Sequence, residues 1–256
     1  MFGKTAFSLI ELLVVLAVLG LLVMILLPVG VRSLEAARRA ECESNLRQLF
    51  LANAAYAAET GRYVAAAPDI FGANRQRWHG ARASGSGAFD GTQGPLARFL
   101  GDGRVRRCPS FPDYRQDATA NAFEAACGGY GYNDRGVGSQ IYLLGYGAAA
   151  MQKGMPAGGI QRPAATVMFT DAAFGQPYNN PRYLIEYSFA EAYFFVGATP
   201  AQLYGPARPS IHFRHGGYAG VVWCDGHVTH EAQKLGNFAS GLGWFGPPDN
   251  SLFDPF

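Results

Sequence analysis

Charge is scarce in this sequence. Asp, Glu, Lys and Arg make up 16% of 256 residues, and 21 basic against 19 acidic residues leave a formal net charge of +2. Composition therefore gives no reason to expect nucleic acid or acidic lipid as a partner. Motifs for several chemistries are missing: there is no phosphate-binding Gly-rich loop, no G-x-S-x-G elbow and no zinc-finger spacing. No internal repeat or low-complexity tract occurs. Cysteine is limited to four residues. Glycine and proline, at 33 and 15 residues, stay below the level of a disordered chain but announce many loops. The length suffices for one sizeable core with an appendage.

What is abundant is one apolar block. Phe7 to Leu27 reads FSLIELLVVLAVLGLLVMILL with Glu11 as its single charge. A helix of that length covers roughly 31 Å, about the hydrocarbon thickness of a bilayer, so the block is expected to span a membrane. It is too long for the core of a cleaved secretory signal, and no A-x-A-like site follows Pro28. Glu11 costs on the order of 2.5–3.5 kcal/mol in such a span, so it calls for a partner or a function.

The string Ala6-Phe7-Ser8-Leu9-Ile10-Glu11, behind a short leader with Lys4, resembles the cleavage and methylation signal of type IV prepilins and type II secretion pseudopilins. The resemblance implies a cut between Ala6 and Phe7 by a prepilin peptidase, N-methylation of Phe7, and a role for Glu11 in assembly. Ala6 departs from the glycine usual before the cut. By count of positive charge, Arg32, Arg38 and Arg39 after the block outweigh Lys4 before it and point the C-terminal part inward. The family resemblance implies the opposite, a head outside the cytoplasm.

The helix is expected to continue, because Ser33 to Glu59 is rich in Ala, Leu, Glu and Arg and free of Gly and Pro. Glu35 with Arg39 and Glu43 with Arg47 have i,i+4 spacing. Leu46, Phe50, Asn53 and Ala57 form a stripe, widened by Leu49 and Tyr56, that can pack on a head. Gly61 suits the position just past the helix end, and Pro28 is expected to kink the helix. Strands are expected at Ala165–Thr170, within Arg182–Phe195, and around Gly220–His230, where Asp225-Gly226 predicts a type I′ hairpin. The tail from Gly236 is expected to wrap the head.

Arg39 to Tyr63, the RCPS around Cys108, GYGYN at 129–133 and a His215-x9-Asp225-Gly226 motif resemble a bacterial pseudopilin-like group with a C-terminal H-x9-DG signature. That resemblance marks His215 and Asp225 as important without assigning a reaction. The two His-x-x-His pairs, 212/215 and 227/230, suggest metal ligands. Residues three apart on a strand face opposite ways, however, so no metal is expected, and His215 is expected to hydrogen-bond near Asp225 and lock the hairpin. Cys108 and Cys127 are expected to close their loop as a disulfide, while Cys42 and Cys224 suit buried apolar positions. Seven arginines between Arg75 and Arg107 form a basic island, read as a solvated or subunit-facing surface. DNA or acidic-glycan capture by this island is the alternative function.

The expected architecture is α+β and pilin-like. It comprises a leader at 1–6, a long helix at 7–60 with a transmembrane part at 7–27, and a β-rich head at 61–256 with the motif hairpin at 215–230. The expected role is that of a structural subunit rather than an enzyme, without cofactor. Its implied partners are other copies of itself, the prepilin peptidase, an assembly platform with its ATPase and the inner membrane, with nucleic acid disfavoured. The implied location is the inner membrane with an external head, then a filament.

Overall fold

The computed structural model describes residues 8–111, 124–176 and 183–256, with the side chains of residues 26, 28, 29, 31 and 32 outside that set. The chain begins with one helix, α1 (Leu9–Thr60), of 52 residues. Ser8 caps it: the Ser8 hydroxyl accepts from the Ile10 and Glu11 N–H groups, and the Glu11 carboxylate accepts from the Ser8 N–H at 2.9 Å. This capping box satisfies donors that a helix start leaves open. Gly61 ends the helix in the left-handed region (φ 75°), and its N–H donates to the Ala57 carbonyl. The helix passes Gly20 and Pro28 without interruption.

Among the described residues no helix is long and apolar enough to cross a membrane, which corrects the transmembrane expectation for 7–27. Apolar side chains described without a break run from Leu9 to Ile25, roughly 25 Å of helix against a hydrocarbon core of about 30 Å, with Glu11 inside the stretch. These side chains are exposed, Leu9 at 77% and Met24 at 73%. The second half of α1 is docked instead. Cys42, Leu46, Leu49, Asn53 and Ala57 are buried, with Phe50 and Tyr56 packed beside them, so the stripe faces the head as its spacing requires.

After α1 come short strands: β1 (Gln76–Arg77), β2 (Gly80–Ala81) and β3 (Tyr130–Tyr132), then the one-turn helices α2 (Ile141–Leu144) and α3 (Ala148–Met151). The remaining strands are β4 (Val167–Asp171), β5 (Phe174–Gln176), β6 (Tyr183–Ile185), β7 (Phe195–Val196), β8 (Leu203–Tyr204), β9 (Ile211–His212), β10 (Tyr218–Trp223), β11 (Val228–Ala232), β12 (Leu235–Asn237) and β13 (Leu242–Trp244). The fold is α+β. Its central sheet has the order β11-β10-β4-β3, antiparallel throughout, and a second sheet has the order β12-β13-β9.

The central sheet separates two apolar clusters. Val222 of β10 joins Leu46 and Leu49 of α1 on one side, while Ala219, Val221 and Trp223 join Phe213, Phe245 and Phe253 on the other. Adjacent residues of a strand face opposite ways, so a strand sandwiched between two layers is apolar without alternation. Fully burying each Leu or Val of this kind contributes roughly 1.5–3 kcal/mol. Polar groups lock the helix in place. The Asn53 amide donates to the Tyr132 hydroxyl (3.0 Å) and accepts from the Val64 N–H (2.9 Å), and Tyr132 donates to the Val64 carbonyl. The tail also packs against the head, with the Asn133 amide donating to the Phe253 carbonyl at 3.0 Å.

The Asp225-Gly226 hairpin is present between β10 and β11, but its turn is not type I′. The Gly226 N–H donates to the Trp223 carbonyl, the Trp223 N–H donates to the His227 carbonyl, and Gly226 has φ 93°. This is a type I turn closed by a glycine bulge, which needs one left-handed residue rather than two.

Candidate functional site

The H-x9-DG motif spans the length of β10. His215 precedes the strand and Asp225-Gly226 follows it, so six strand residues, roughly 20 Å, lie between them. His215 therefore does not support the Asp225 turn, correcting that expectation. Asp225 instead accepts from the His227 N–H and pairs with the His227 ring at 2.6 Å, and that ring stacks on Trp223. Both ends of the motif meet α1: the Nδ1 of His215 lies 3.5 Å from the Glu35 carboxylate, and a Cβ on Gly226 would stand 2.6 Å from the Phe50 ring. Glu35 thus turns to His215, while Arg39, its expected i,i+4 partner, lies over the Tyr218 ring. The Glu43–Arg47 pair forms as its spacing predicts, at 2.5 Å.

At the His215 end four buried residues converge from distant parts of the chain. The His215 Nε2 is 3.4 Å from an Asp171 oxygen and 3.7 Å from the Cys108 sulfur, and the Cys42 sulfur is 3.7 Å from the other Asp171 oxygen. Asp171 closes β4, and its carboxylate accepts from the Gly220 N–H of β10 at 2.7 Å. Burial alone raises its pKa, but the Arg214 guanidinium, His215 and that N–H outweigh it and hold the carboxyl below its ordinary value. The Tyr130 hydroxyl sits 3.2 Å from the Cys42 sulfur and accepts from the Asn45 amide.

Cys42 and Cys108 form a disulfide, which replaces the expected Cys108–Cys127 bridge. The loops of Cys108 and Cys127 do meet, through a Cys108 N–H to Gly128 carbonyl bond. The two sulfurs diverge, however: Cys108 reaches α1 and Cys127 reaches Glu186, 3.8 Å from its carboxylate. The observed bridge closes 66 residues, worth about 4 kcal/mol by the chain-entropy estimate. Cys127 and Cys224 are free and buried, Cys224 as its apolar surroundings suggest.

Neither His-x-x-His pair converges. His212 is buried on β9, with its pKa pushed well below the ordinary value by burial, then by Arg214, and His227 and His230 belong to the hairpin. Among the described residues, the four able to share a cation are Cys42, Cys108, Asp171 and His215, whose ligand atoms lie within 4.8 Å of one another. Ala6 and Phe7 lie outside the described residues. Glu11 is exposed and engaged with Ser8 in the capping box.

Part of the basic island turns inward. Arg77 is buried against Glu124, with Nε at 3.1 Å from both oxygens, and Trp78 and His79 are buried beside it. Arg82 is buried, Arg98 pairs with Glu59, and Arg106 pairs with Asp102. Arg77 and Arg82 are thus withdrawn from the surface, whereas Arg75, Arg98, Arg104, Arg106 and Arg107 are exposed, as a solvated or subunit-facing surface requires. Comparison of the chain with protein-family models, curated proteins and solved structures finds no match.

Proposed function

We propose that the chain is a pilin-like structural subunit that assembles with copies of itself into a filament of a type II secretion or type IV pilus kind. The carrying observation is the asymmetry of α1, one continuous helix with a docked second half and an exposed apolar first half. An apolar surface on that scale requires cover. Equivalent helices of neighbouring subunits supply it, and their association removes the apolar area from water while the heads remain outside. In this reading a prepilin peptidase cuts before Phe7, an assembly platform with its ATPase adds subunits, and the head lies outside the cytoplasm, where the Cys42–Cys108 disulfide is at home. The work is structural rather than catalytic.

Glu11 has two possible duties that one pair of substitutions separates. As a capping residue it holds the helix start; as a charge it neutralises the new Phe7 amine of an incoming subunit in an apolar surrounding. Gln also serves in a capping box, whereas Ala does not. Filament yield against processed monomer is the measurement, with mass spectrometry locating a methylated Phe7. Both Glu11→Gln and Glu11→Ala are expected to keep Phe7 processing and to lose filaments. Normal filaments from Glu11→Gln would reduce Glu11 to a cap, and an unprocessed Met1 in the wild type would overturn the prepilin reading.

A further inference from the structure

The convergence of Cys42, Cys108, Asp171 and His215 is independent of filament assembly. We propose that the dithiol form of the chain binds one zinc-class divalent cation between these four residues, so that the bound metal and the Cys42–Cys108 disulfide are alternative states of one buried site. Metal bonds of about 2.0–2.3 Å in a tetrahedron put neighbouring ligand atoms about 3.3–3.8 Å apart. Three of the cross-distances already fall there: Cys42 sulfur to Asp171 Oδ1 at 3.7 Å, Cys108 sulfur to His215 Nε2 at 3.7 Å, and His215 Nε2 to Asp171 Oδ2 at 3.4 Å, the two carboxylate oxygens facing one ligand each.

The surroundings are those of a metal site as well. A metal-binding His usually gives its other ring N–H to a carboxylate, and here Glu35 stands 3.5 Å from His215 Nδ1. With the proton on Nδ1, the Nε2 lone pair faces the other three ligands. The Gly220 N–H orients Asp171, and the Tyr130 hydroxyl lies within reach of the Cys42 sulfur. Two thiolates and Asp171 carry three negative charges, which a divalent cation and the adjacent Arg214 balance. Arg214 lies 3.8 Å from Asp171, with Nε and Nη1 making no hydrogen bond among the described residues. Two thiolates, one imidazole and one carboxylate suit zinc better than the hard cations calcium and magnesium.

The interconversion balances with a thiol reductant. Two small thiols reduce the Cys42–Cys108 bond to two cysteine thiols and leave as their own disulfide, and the cation then displaces the two thiol protons. Bound metal blocks reoxidation, because both sulfurs are committed to it.

The test uses the full chain in detergent, reduced and kept free of oxygen, with cobalt(II) as the optical probe and zinc as competitor. The expected result is one cobalt per chain with a thiolate-to-cobalt charge-transfer band, displaced by zinc and absent from the disulfide form. Cys42→Ser and Cys108→Ser should abolish the band, whereas Cys127→Ser and Cys224→Ser should leave it unchanged. Glu35→Gln, at a half-exposed helix position that does not threaten folding, should weaken cobalt binding by about 10-fold or more through the His215 ring. Reduced chain that keeps its folded circular dichroism yet binds no cobalt would overturn the proposal, as would a band that survives Cys42→Ser and Cys108→Ser.

Discussion

At the scale of single residues, the Arg77–Glu124 pair governs the region before β3. Arg77 donates from Nε to both Glu124 oxygens at 3.1 Å and from Nη2 at 3.0 Å, and its remaining donors go to Asn74 and the Gln76 carbonyl. Glu124 also accepts from the Ser188 hydroxyl at 2.6 Å. Burial by itself raises the Glu124 pKa, but His79 and Arg77 outweigh it and the net shift is downward. His79 is pushed below its ordinary value, first by burial. A buried pair adds little over a well-packed apolar substitute, but losing one partner strands the other charge. Arg77→Met is accordingly expected to destabilise the chain by about 3–5 kcal/mol, with Arg77→Met/Glu124→Leu recovering much of the loss. Urea denaturation followed through the buried Trp78 reads both, and a loss below about 1 kcal/mol for Arg77→Met would contradict this view of the pair.

At the scale of elements, β10 and α1 act as one clamp. The strand lies along the helix with His215 opposite Glu35 at one end and Gly226 against Phe50 at the other. Gly226 meets two separate demands, a left-handed φ of 93° and a ring at 2.6 Å from where a Cβ would stand. Gly226→Ala should therefore cost about 1–3 kcal/mol in total from backbone strain and overlap. Phe50→Ala in the same chain removes the overlap but not the strain. The two substitutions are thus expected to be less than additive, with a coupling of about 0.5 kcal/mol or more in a double-mutant denaturation cycle. Strict additivity would mean that the ring and the turn do not press on each other.

For the whole molecule, stability depends on pH through groups of opposite sense. Asp134 is pushed up to about 7, first by burial and also by Glu191, against the pull of Arg135, whose Nε lies 3.2 Å away. A raised carboxyl pKa means that the folded chain prefers the proton. Asp134 therefore costs nothing below the ordinary value of 3.8, and its cost grows as pH rises toward about 7, reaching a few kcal/mol. Glu124 and Asp171, held low, stabilise above their ordinary values, and that contribution is lost as pH falls through the folded ones. His79 and His212, also held low, penalise the fold as pH drops below 6.5. Because these oppose Asp134, the informative quantity is a difference. The stability of Asp134→Asn relative to wild type should increase steadily between about pH 4 and 7 in thermal denaturation, and a difference independent of pH would exclude this role for Asp134.

Short-range features were legible in the sequence. The stripe from Leu46 to Ala57 and the stop at Gly61 act within a few residues, as does the hairpin at Asp225-Gly226, and each is found in the structure. The Ser8-x-x-Glu11 capping box has the same local character, although the apolar run beside it gives Glu11 a second reading as an isolated charge. Decisions between distant segments belonged to the tertiary structure. Cys108 lies close in sequence to Cys127, yet it bonds to Cys42 across 66 residues, because the side-chain direction at each position is set by packing on α1. Asp171 and His215 come together only because β4 and β10 are sheet neighbours, and Arg77 turns inward only because Glu124 awaits it. Spacing encodes caps, turns and the faces of a helix, since these repeat with the backbone's own period. Which thiol, carboxylate or imidazole meets which depends on strand order and burial, and no local pattern carries that information.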